Sequence, residues 1–579
     1  MYYKWTMKKK KSLLRRIIRA IFITVTILLL IIAVVVGWVL FAFRDLVLFL
    51  PHYTDIAGQN GEAKSYLVVF QNNNELRPAG GFLTAYGIAN FQNGYFRGMD
   101  VKDVYVNTDD HPYMEAPYPL EEMLDSDDFE FTYTFRDSNY SPDFAESAKE
   151  LEKMLLVNQP DLKLDGVFAV NYSVLENLIG VIGEVEIGDM TLTKDNLFEQ
   201  LEFEVNNIDR HNIKDLADRK NILGELSNGL IKGVAGNPYL WTGTSRLILD
   251  SLNKKEIQLN FKNRNVQELV MEKGWSGMWP KVIEKDFLGV VEANLGGLKN
   301  DRYITRDISY HLMVEDDIEG DLKLTGTVEI TLKHNGIHNM PISGSYKGYV
   351  RTFLLRTAAL TMISSEERDS ANYQRRGEHF IVGNKVELDP GQKKTITYKY
   401  DLPESLLKDN EYSLYVPKQS GTLDDFYDIR IEFPQGYKVE SDSFVTKENL
   451  ATKRGILESD WYLDLKFFGD EMPPYPFFQK IDTLDTAVVI FNEKLDNDSV
   501  LNINNFTIED LDVNHPEKTD RIKITGIQYT PNRAIISLEG MSLQYEEHYR
   551  LIMKDLMDDS GNMVMPSPKT LTLVQRLES

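Results

Sequence analysis

The stretch SYLVVFQNNNELRPAGGFLTAYGIANF, residues 65–91, decides how the first folded unit of this chain begins. Residues 65–70 form a short apolar run rich in β-branched side chains, which is typical of a buried strand. The polar residues and the Pro-Ala-Gly-Gly segment that follow favour a turn. A second apolar run, 83–91, comes after that turn. We therefore predict two strands separated by this polar turn.

Helices alternate with strands downstream of this stretch. Residues 141–156, SPDFAESAKELEKMLL, place their apolar side chains on one face at helical spacing. Residues 165–188 are typical of a strand, a helix, a glycine turn and a strand. We predict a further amphipathic helix over 215–235 and a helix–strand pair over 278–295. This alternation predicts an α/β layered domain over residues 60–300.

The sequence pattern changes after about residue 300. Apolar and polar residues alternate at strand spacing over 301–440, which predicts a β-sandwich. A connector with several prolines follows over 441–475. Seven short apolar segments over 476–579 predict a second, immunoglobulin-like sandwich. The predicted fold class is therefore multidomain, α/β plus all-β.

The amino-terminus combines a basic segment with an apolar one. Residues 1–19 carry eight Lys and Arg residues and no acid, and residues 20–43 carry no charge. An apolar run of this length is long enough to cross the ~30 Å hydrocarbon core of a bilayer. We predict a basic cytoplasmic tail, one transmembrane helix over 20–43, and an extracellular remainder. The alternative is a cleaved signal peptide, whose apolar core would be only ~7–15 residues long.

Composition narrows the classes of function. The formal net charge is −24, and there is no cysteine. So acidic a surface repels nucleic acid, and a chain without cysteine has neither disulfides nor thiolate metal sites. Both observations fit a bacterial envelope. The motifs of serine hydrolases, zinc proteases, P-loop proteins and dinucleotide-binding proteins are absent from the sequence.

Basic residues near predicted strand and helix ends are the candidate functional residues. Guanidinium groups bind phosphate in a bidentate manner, and helix N-termini add backbone donors. The pattern therefore indicates a phosphate site, although Arg136 beside Asp137 also fits a local salt bridge. The candidates are Arg77, Arg136, Arg210, Arg219 and Lys220.

Several blocks between residues 60 and 430 resemble a known protein family. They include QNNNELRPAGGF, FRDSNYSPDFAESA, DGVFAVNYSVLENLIGVIGEVEI and LYVPKQSG. The chain resembles an uncharacterised family of membrane-anchored bacterial proteins, which is itself similar to the LytR-CpsA-Psr proteins. Those enzymes transfer cell-wall glycopolymers from polyprenyl-pyrophosphate carriers onto peptidoglycan or protein.

The resemblance assigns roles to the candidate residues. It implies that Arg77, Arg136, Arg219, Arg210 and Lys220 hold a pyrophosphate. It also implies that Arg136 and Asp137 are catalytic, and that Asp137 binds Mg²⁺ or orients the acceptor. The sequence departs from the transferases directly after Arg77, where Pro78-Ala79-Gly80 replaces their Ser-Asp-Thr. Other acids that could serve the metal are Asp100 and Asp103.

The carboxyl-terminal region, 476–579, resembles the surface-layer type of bacterial Ig-like domain. The resemblance rests on the segment RAIISLEGMSLQYEEHYRLIMKDLMDDSGN, which ends in an Asp-x-x-Gly-Asn turn at 558–562. This resemblance implies a spacer or an adhesive module.

Two functions remain open at the level of sequence. The first is an envelope protein that binds or acts on polyprenyl-phosphate-linked glycan and peptidoglycan. If it acts on them, it is a glycopolymer phosphotransferase. The second is a non-catalytic surface scaffold or glycan-binding protein that displays the Ig-like module. A magnesium-binding acid near the arginines would favour the first.

Overall fold

The structure is a computed structural model that describes most of the chain after residue 46. The described residues are 47–107, 114–125, 130–187, 190–200, 226, 229–230, 233–234, 236–281, 284–316, 322–337, 344–364, 371–434, 436–469, 473–511, 521–533, 535–544, 547–558 and 560–574. Three sets of strands follow one another along the chain, and each set surrounds a hydrophobic core.

The first set is a five-stranded sheet with the order β3-β2-β1-β4-β7. Among the described strands of this sheet, β1 and β4 form the only parallel pair. A small hairpin of β5 and β6 lies beside it. The bounds are β1 Ala63–Asn72, β2 Phe82–Gln92, β3 Tyr95–Asp103, β4 Gly166–Asn171, β5 Val185–Ile187, β6 Met190–Leu192 and β7 Ile257–Phe261.

Helices cover both faces of this sheet. Side chains alternate between the two faces of a strand, so Leu67 and Val69 of β1 face one side and Tyr66 faces the other. The apolar stripe of α3 packs on the first side, whereas α5 and α6 pack on the second. The bounds are α1 Tyr53–Ala57, α2 Leu120–Leu124, α3 Phe144–Asn158, α4 Tyr172–Ile182, α5 Trp241–Asn253 and α6 Arg264–Glu272.

The second set is a sandwich of two seven-stranded sheets. Their orders are β12-β15-β10-β9-β17-β20-β19 and β13-β14-β11-β8-β16-β21-β18, and one core lies between them. The bounds are β8 Asp286–Asn294, β9 Ile304–Asp316, β10 Leu322–His334, β11 Tyr346–Leu355, β12 Ala359–Ile363, β13 Asn372–Arg376, β14 His379–Leu388, β15 Lys393–Leu402, β16 Glu411–Val416, β17 Phe426–Glu432, β18 Lys438–Glu440, β19 Val445–Lys447, β20 Leu450–Ile456 and β21 Trp461–Phe468.

The third set is a pair of four-stranded sheets with the orders β22-β23-β27-β26 and β25-β24-β28-β29. Its core is separate from the other two. The identification as an Ig-like domain stays a prediction. The bounds are β22 Pro476–Thr483, β23 Thr486–Phe491, α7 Asn497–Leu501, β24 Phe506–Asp510, β25 Arg521–Ile522, β26 Gly526–Thr530, β27 Ile535–Glu539, β28 His548–Met553 and β29 Lys569–Val574.

The predicted fold class, multidomain α/β plus all-β behind an N-terminal transmembrane helix, is wrong. Strand residues outnumber helical residues by about two to one (45% against 22%), and the first sheet is largely antiparallel. Part of the error comes from 278–295, which we predicted as a helix–strand pair. Its described part is a loop followed by β8, and every residue of β8 is buried within the sandwich sheet. Such a strand shows no alternation that would distinguish it from a buried helix.

The predictions that rested on a membrane span also need correction. Among the residues that the structure describes, no helix is both long enough and apolar enough to cross a membrane. The predicted tail, 1–19, and the predicted span, 20–43, lie outside those residues. We therefore withdraw the single-pass topology, the membrane as a partner, and the placement of the remainder outside the cell.

Candidate functional site

The polar turn after β1 is buried between the five-stranded sheet and the sandwich. Asn73 donates to the carbonyl oxygen of Gly421 at 3.1 Å and accepts from the Ser173 backbone N–H at 3.2 Å. Gly421 has a φ of +86°, and a Cβ there would collide with the backbone of Gly80. Glycine at 421 therefore permits this close approach of the two chain segments.

A hydrogen-bond network extends from this turn across the junction between the five-stranded sheet and the sandwich. Gln71 donates to Asn171 at 3.2 Å and accepts from Asn139 at 2.6 Å. Asn171 in turn donates to Glu256 and to the Ser420 hydroxyl, both at 3.0 Å. Burying a polar group costs free energy unless the group is hydrogen-bonded. This network therefore fixes how the five-stranded sheet and its helices, here called the first unit, meet the sandwich.

Arg77 lies inside the same junction and is only 3% exposed. Its guanidinium pairs with Glu75 at 3.1 Å, donates to the carbonyl oxygen of Asn294, and lies 5.2 Å from the centre of the Phe82 ring. Burial raises the pKa of Glu75, and Arg77 opposes that rise. In this arrangement Arg77 serves the packing of the junction.

Arg136 and Asp137 form an ion pair at 3.3 Å. Asp137 is 3% exposed, and Thr134 donates to the same carboxylate oxygen at 3.4 Å. Burial raises the pKa of Asp137, whereas Arg136 and Arg77 act against that rise. The structure thus brings Arg77, Arg136 and Asp137 to one place. The other candidates, Arg210, Arg219 and Lys220, lie outside the described residues.

The candidate acids Asp137 and Asp100 do not fit a magnesium site. Asp137 faces cations, and Asp100 pairs with Lys102 at 3.8 Å on the surface. Within the described ranges, no group of three or more His, Asp or Glu residues could hold a metal ion. Mg²⁺ prefers several oxygen ligands in an octahedral arrangement. We therefore derive no chemical step through a metal.

A second buried cluster lies next to the turn and centres on Arg306. Its guanidinium pairs with Glu292, with Asp301 at 2.7 Å and with Asp425 at 3.9 Å. Burial raises the pKa of Glu292 to about 7, and Arg306 opposes the rise. Asp301 also accepts from the backbone N–H of Leu76 at 2.9 Å, which ties the cluster to the turn.

The cleft between the first unit and the sandwich is the strongest candidate binding site, with a volume of about 540 Å³. Its floor is the outer face of β11, β14 and β13. Residues i and i+2 of a strand point to the same face of the sheet, so each of these three strands contributes three alternate residues to the floor. The floor residues are Tyr349, Arg351, Phe353, Gly383, Ile381, His379, Asn372, Gln374 and Arg376.

The walls of the cleft come from the first unit. They include the segment that leads into α3, the start of α3 and the loop with Trp279. Asp143 caps α3 by accepting from the Ala145 N–H at 2.9 Å. Arg376 reaches from the floor to Glu146 of α3 at 3.3 Å. The cleft is therefore held by contacts between the two units.

Two aromatic pairs lie along β11, and each consists of one ring of β11 and one ring of the first unit. The Tyr118 ring lies edge-on to the Tyr349 ring at 5.7 Å, and the Trp279 ring lies edge-on to the Phe353 ring at 4.9 Å. A Cβ on Gly383 would collide with the Tyr349 hydroxyl, so glycine at 383 makes room for that ring. Four residues of extended strand separate the two pairs by roughly 13 Å.

Arg351 lies between the two aromatic pairs. Its guanidinium lies 4.5 Å from the Tyr140 ring centre and 5.5 Å from the Phe353 ring centre, and its Nη2 donates to the Tyr140 carbonyl oxygen at 3.1 Å. Burial lowers the pKa of Arg351, and the nearby Arg376 lowers it further. Burial also lowers the pKa of His379 at the edge of the floor.

The sequence contains one signal for this site. Arg351 interrupts the run GYVRTFLL, residues 348–355, which is otherwise apolar or small. A cation on one face of such a strand is unusual unless it has a partner. The cleft partners could not be found from sequence because Tyr140 is 211 residues away.

The comparisons with known proteins extend this picture only slightly. A family model described as "Protein of unknown function (DUF4012)" matches residues 61–205. This match confirms the resemblance to an uncharacterised family over that part of the chain, whereas the relation to the LytR-CpsA-Psr proteins stays a prediction. No curated protein matches the chain.

Solved structures show weak similarity. The N-terminal part of the bacterial S-layer protein SbsC is 13% identical, with a TM-score of 0.16, over 18% of this chain and 24% of that one. The transcriptional regulator yvhJ from Bacillus subtilis is 13% identical, with a TM-score of 0.21, over 39% of this chain and 81% of that one. The Lin1025 protein from Listeria innocua is 10% identical, with a TM-score of 0.21, over 37% and 79%. TM-scores this low support no inference about function.

Proposed function

We propose that this protein binds a glycan in the cleft between its first unit and the sandwich. The observation that carries the proposal is the row of two aromatic pairs, each formed by one ring of β11 and one ring of the cleft wall, with polar side chains beside them. Aromatic rings offer flat apolar faces to the C–H groups of a sugar ring, and polar side chains bind its hydroxyl groups.

The accessible rings suit this role. Tyr118 is 47% exposed, and Trp279 is half-buried at the opposite end of the row. The floor also offers the exposed amides of Asn372 and Gln374. Amide and hydroxyl groups both donate and accept hydrogen bonds, as sugar hydroxyl groups do. An elongated ligand with alternating apolar and hydroxyl surfaces matches this lining.

The alternative is action on a polyprenyl-pyrophosphate-linked glycopolymer through Arg77 and Arg136. Its support is that both arginines lie near Asp137. In the described conformation, however, Arg77 is buried against Glu75 and Asn294, and Arg136 is paired with Asp137. A phosphate would have to displace these internal partners. We therefore rank this activity below glycan binding in the cleft.

The test is a titration of the full chain with soluble oligosaccharides, both neutral and acidic, followed by calorimetry. Tyr118→Ala should weaken binding several-fold, because it removes an exposed ring from the cleft. Tyr373→Ala is the matched control, since Tyr373 is also 47% exposed but does not line the cleft. Equal effects of the two substitutions, or no binding of any oligosaccharide, would refute the proposal.

A further inference from the structure

We propose that the cleft contains an anion subsite at Arg351, so that the glycan it binds carries a carboxylate or a phosphate group. This inference rests on the proposed function and specifies its ligand. The subsite consists of the Arg351 guanidinium on the floor and the Tyr140 side chain on the wall.

The first argument is that Arg351 has no acidic partner. Among the residues that the structure describes, its contacts are the Tyr140 carbonyl oxygen and two aromatic rings, and the side chain of Arg376, a second cation, acts to lower its pKa. By contrast, Arg77, Arg136, Arg306 and Arg376 each pair with a carboxylate. A half-buried cation next to a second cation is stabilised when an anion joins it.

The second argument is that donors at this place are unused. The Nε of Arg351 and the hydroxyl of Tyr140 are shielded from solvent and have no hydrogen-bond partner in the described part of the chain. Tyr140 is only 4% exposed. Among the described residues, Nη1 of Arg351 has no protein acceptor either, and it is not one of the solvent-shielded atoms. It is therefore the donor that an anion in the cleft reaches first.

The third argument is selectivity. Five acids also line the cleft, namely Glu115, Asp143, Glu146, Glu150 and Glu378. They would repel a ligand with anionic charge along its whole length. The subsite therefore fits a chain in which an acidic group reaches Arg351 while hydroxyl-bearing or neutral parts face the acids. The lining thus favours a sparsely charged glycan over a uniformly charged polymer.

The experiment compares three probes of matched length by calorimetry on the full chain. They are a neutral oligosaccharide of N-acetylglucosamine, an oligosaccharide with one uronic acid, and a neutral oligosaccharide with one phosphate ester. Wild type should bind an acidic probe roughly tenfold to a hundredfold more tightly than the neutral one, as expected for hydrogen bonds to a charged group. Whether the carboxylate or the phosphate probe binds more tightly identifies the source of the anion.

Two substitutions assign this preference to Arg351. R351Q should remove the preference, so that the variant binds the acidic and the neutral probes with equal affinity. R430Q removes the same charge from an exposed arginine on the other sheet and should change neither. A preference that persists in R351Q, or equal binding of the three probes by wild type, would overturn the anion subsite while leaving glycan binding intact. No binding of any probe would instead refute the proposed function.

A Lys variant covers the case in which R351Q fails to fold. R351K keeps the charge but loses the planar fork that binds an anion through two donors. The preference for the acidic probe should shrink in R351K and should fall in wild type as salt concentration rises. A preference that stays complete under both conditions would overturn the proposal.

Discussion

Replacing Glu292 by Gln should make the sandwich less sensitive to rising pH. Glu292 shares the buried Arg306 with Asp301 and Asp425, so three acids surround one cation. Burial raises the pKa of Glu292 from 4.5 to about 7. The folded protein therefore binds more protons than the unfolded chain between these values. Stability is present in full at low pH and is lost as pH rises toward 7.

The expected magnitude follows from this window. Each pKa unit is worth about 1.4 kcal/mol, so the Glu292 contribution falls by about 1.5 kcal/mol between pH 5.5 and pH 7 and by about 2 kcal/mol by pH 8. Gln cannot ionise and lacks this loss. Its carbonyl oxygen can still accept from Arg306, and its amide can still donate to the Tyr346 hydroxyl that now donates to Glu292.

The assay is urea unfolding of both proteins from pH 5.5 to pH 8, followed by tryptophan fluorescence. The difference in unfolding free energy, Gln variant minus wild type, should become more positive by about 2 kcal/mol as pH rises. E378Q, a substitution of an exposed acid outside the Arg306 cluster, serves as the control. Parallel pH profiles for wild type and E292Q would refute the reasoning.

Three further predictions concern stability. Gly383→Ala should displace the Tyr349 ring and cost about 1–3 kcal/mol, whereas Gly469→Ala, in open surroundings, should be nearly neutral in the same denaturation experiment. Equal costs would contradict the packing argument. Asp286→Ala should cost about 2–4 kcal/mol, because it leaves two buried tyrosine hydroxyls without their acceptor; a loss below 1 kcal/mol would contradict this account. Deleting 476–579 should leave the melting temperature of the remaining sheets unchanged, since that region has its own core; a lower melting temperature would show that the units are coupled.

Local elements could be predicted from sequence because their signals are local. The helix predicted over 141–156 is observed as Phe144–Asn158, and the strand predicted over 65–70 lies within Ala63–Asn72. The alternation of helices and strands did not predict the strand directions in the sheet, because strand direction depends on how distant segments pair. Strand β7 runs antiparallel to β4, which no local pattern indicates.

The candidate site was harder to predict for a physical reason. The sequence drew attention to Arg77 because it follows a strand, yet its burial depends on Asn294, which lies 217 residues away. Conversely, Arg351 sits in a strand pattern that predicts packing, and its lack of an acid becomes visible only when the wall with Tyr140 is in place. Pairing of charges across long sequence separations decides which arginine is structural and which is available.

The buried turn after β1 has a consequence for the order of events during synthesis. Asn73 donates to the carbonyl oxygen of Gly421, 348 residues later, and the backbone carbonyl oxygen of Arg77 accepts from Gln419. Until the ribosome has made those residues, the polar groups of this turn must stay hydrated, because their hydrogen-bond partners across the junction do not yet exist. Contacts of such long separation form late and slowly. The nascent chain therefore spends most of its translation time with its first unit incomplete, which makes this unit a natural client for chaperones until residue 421 has emerged.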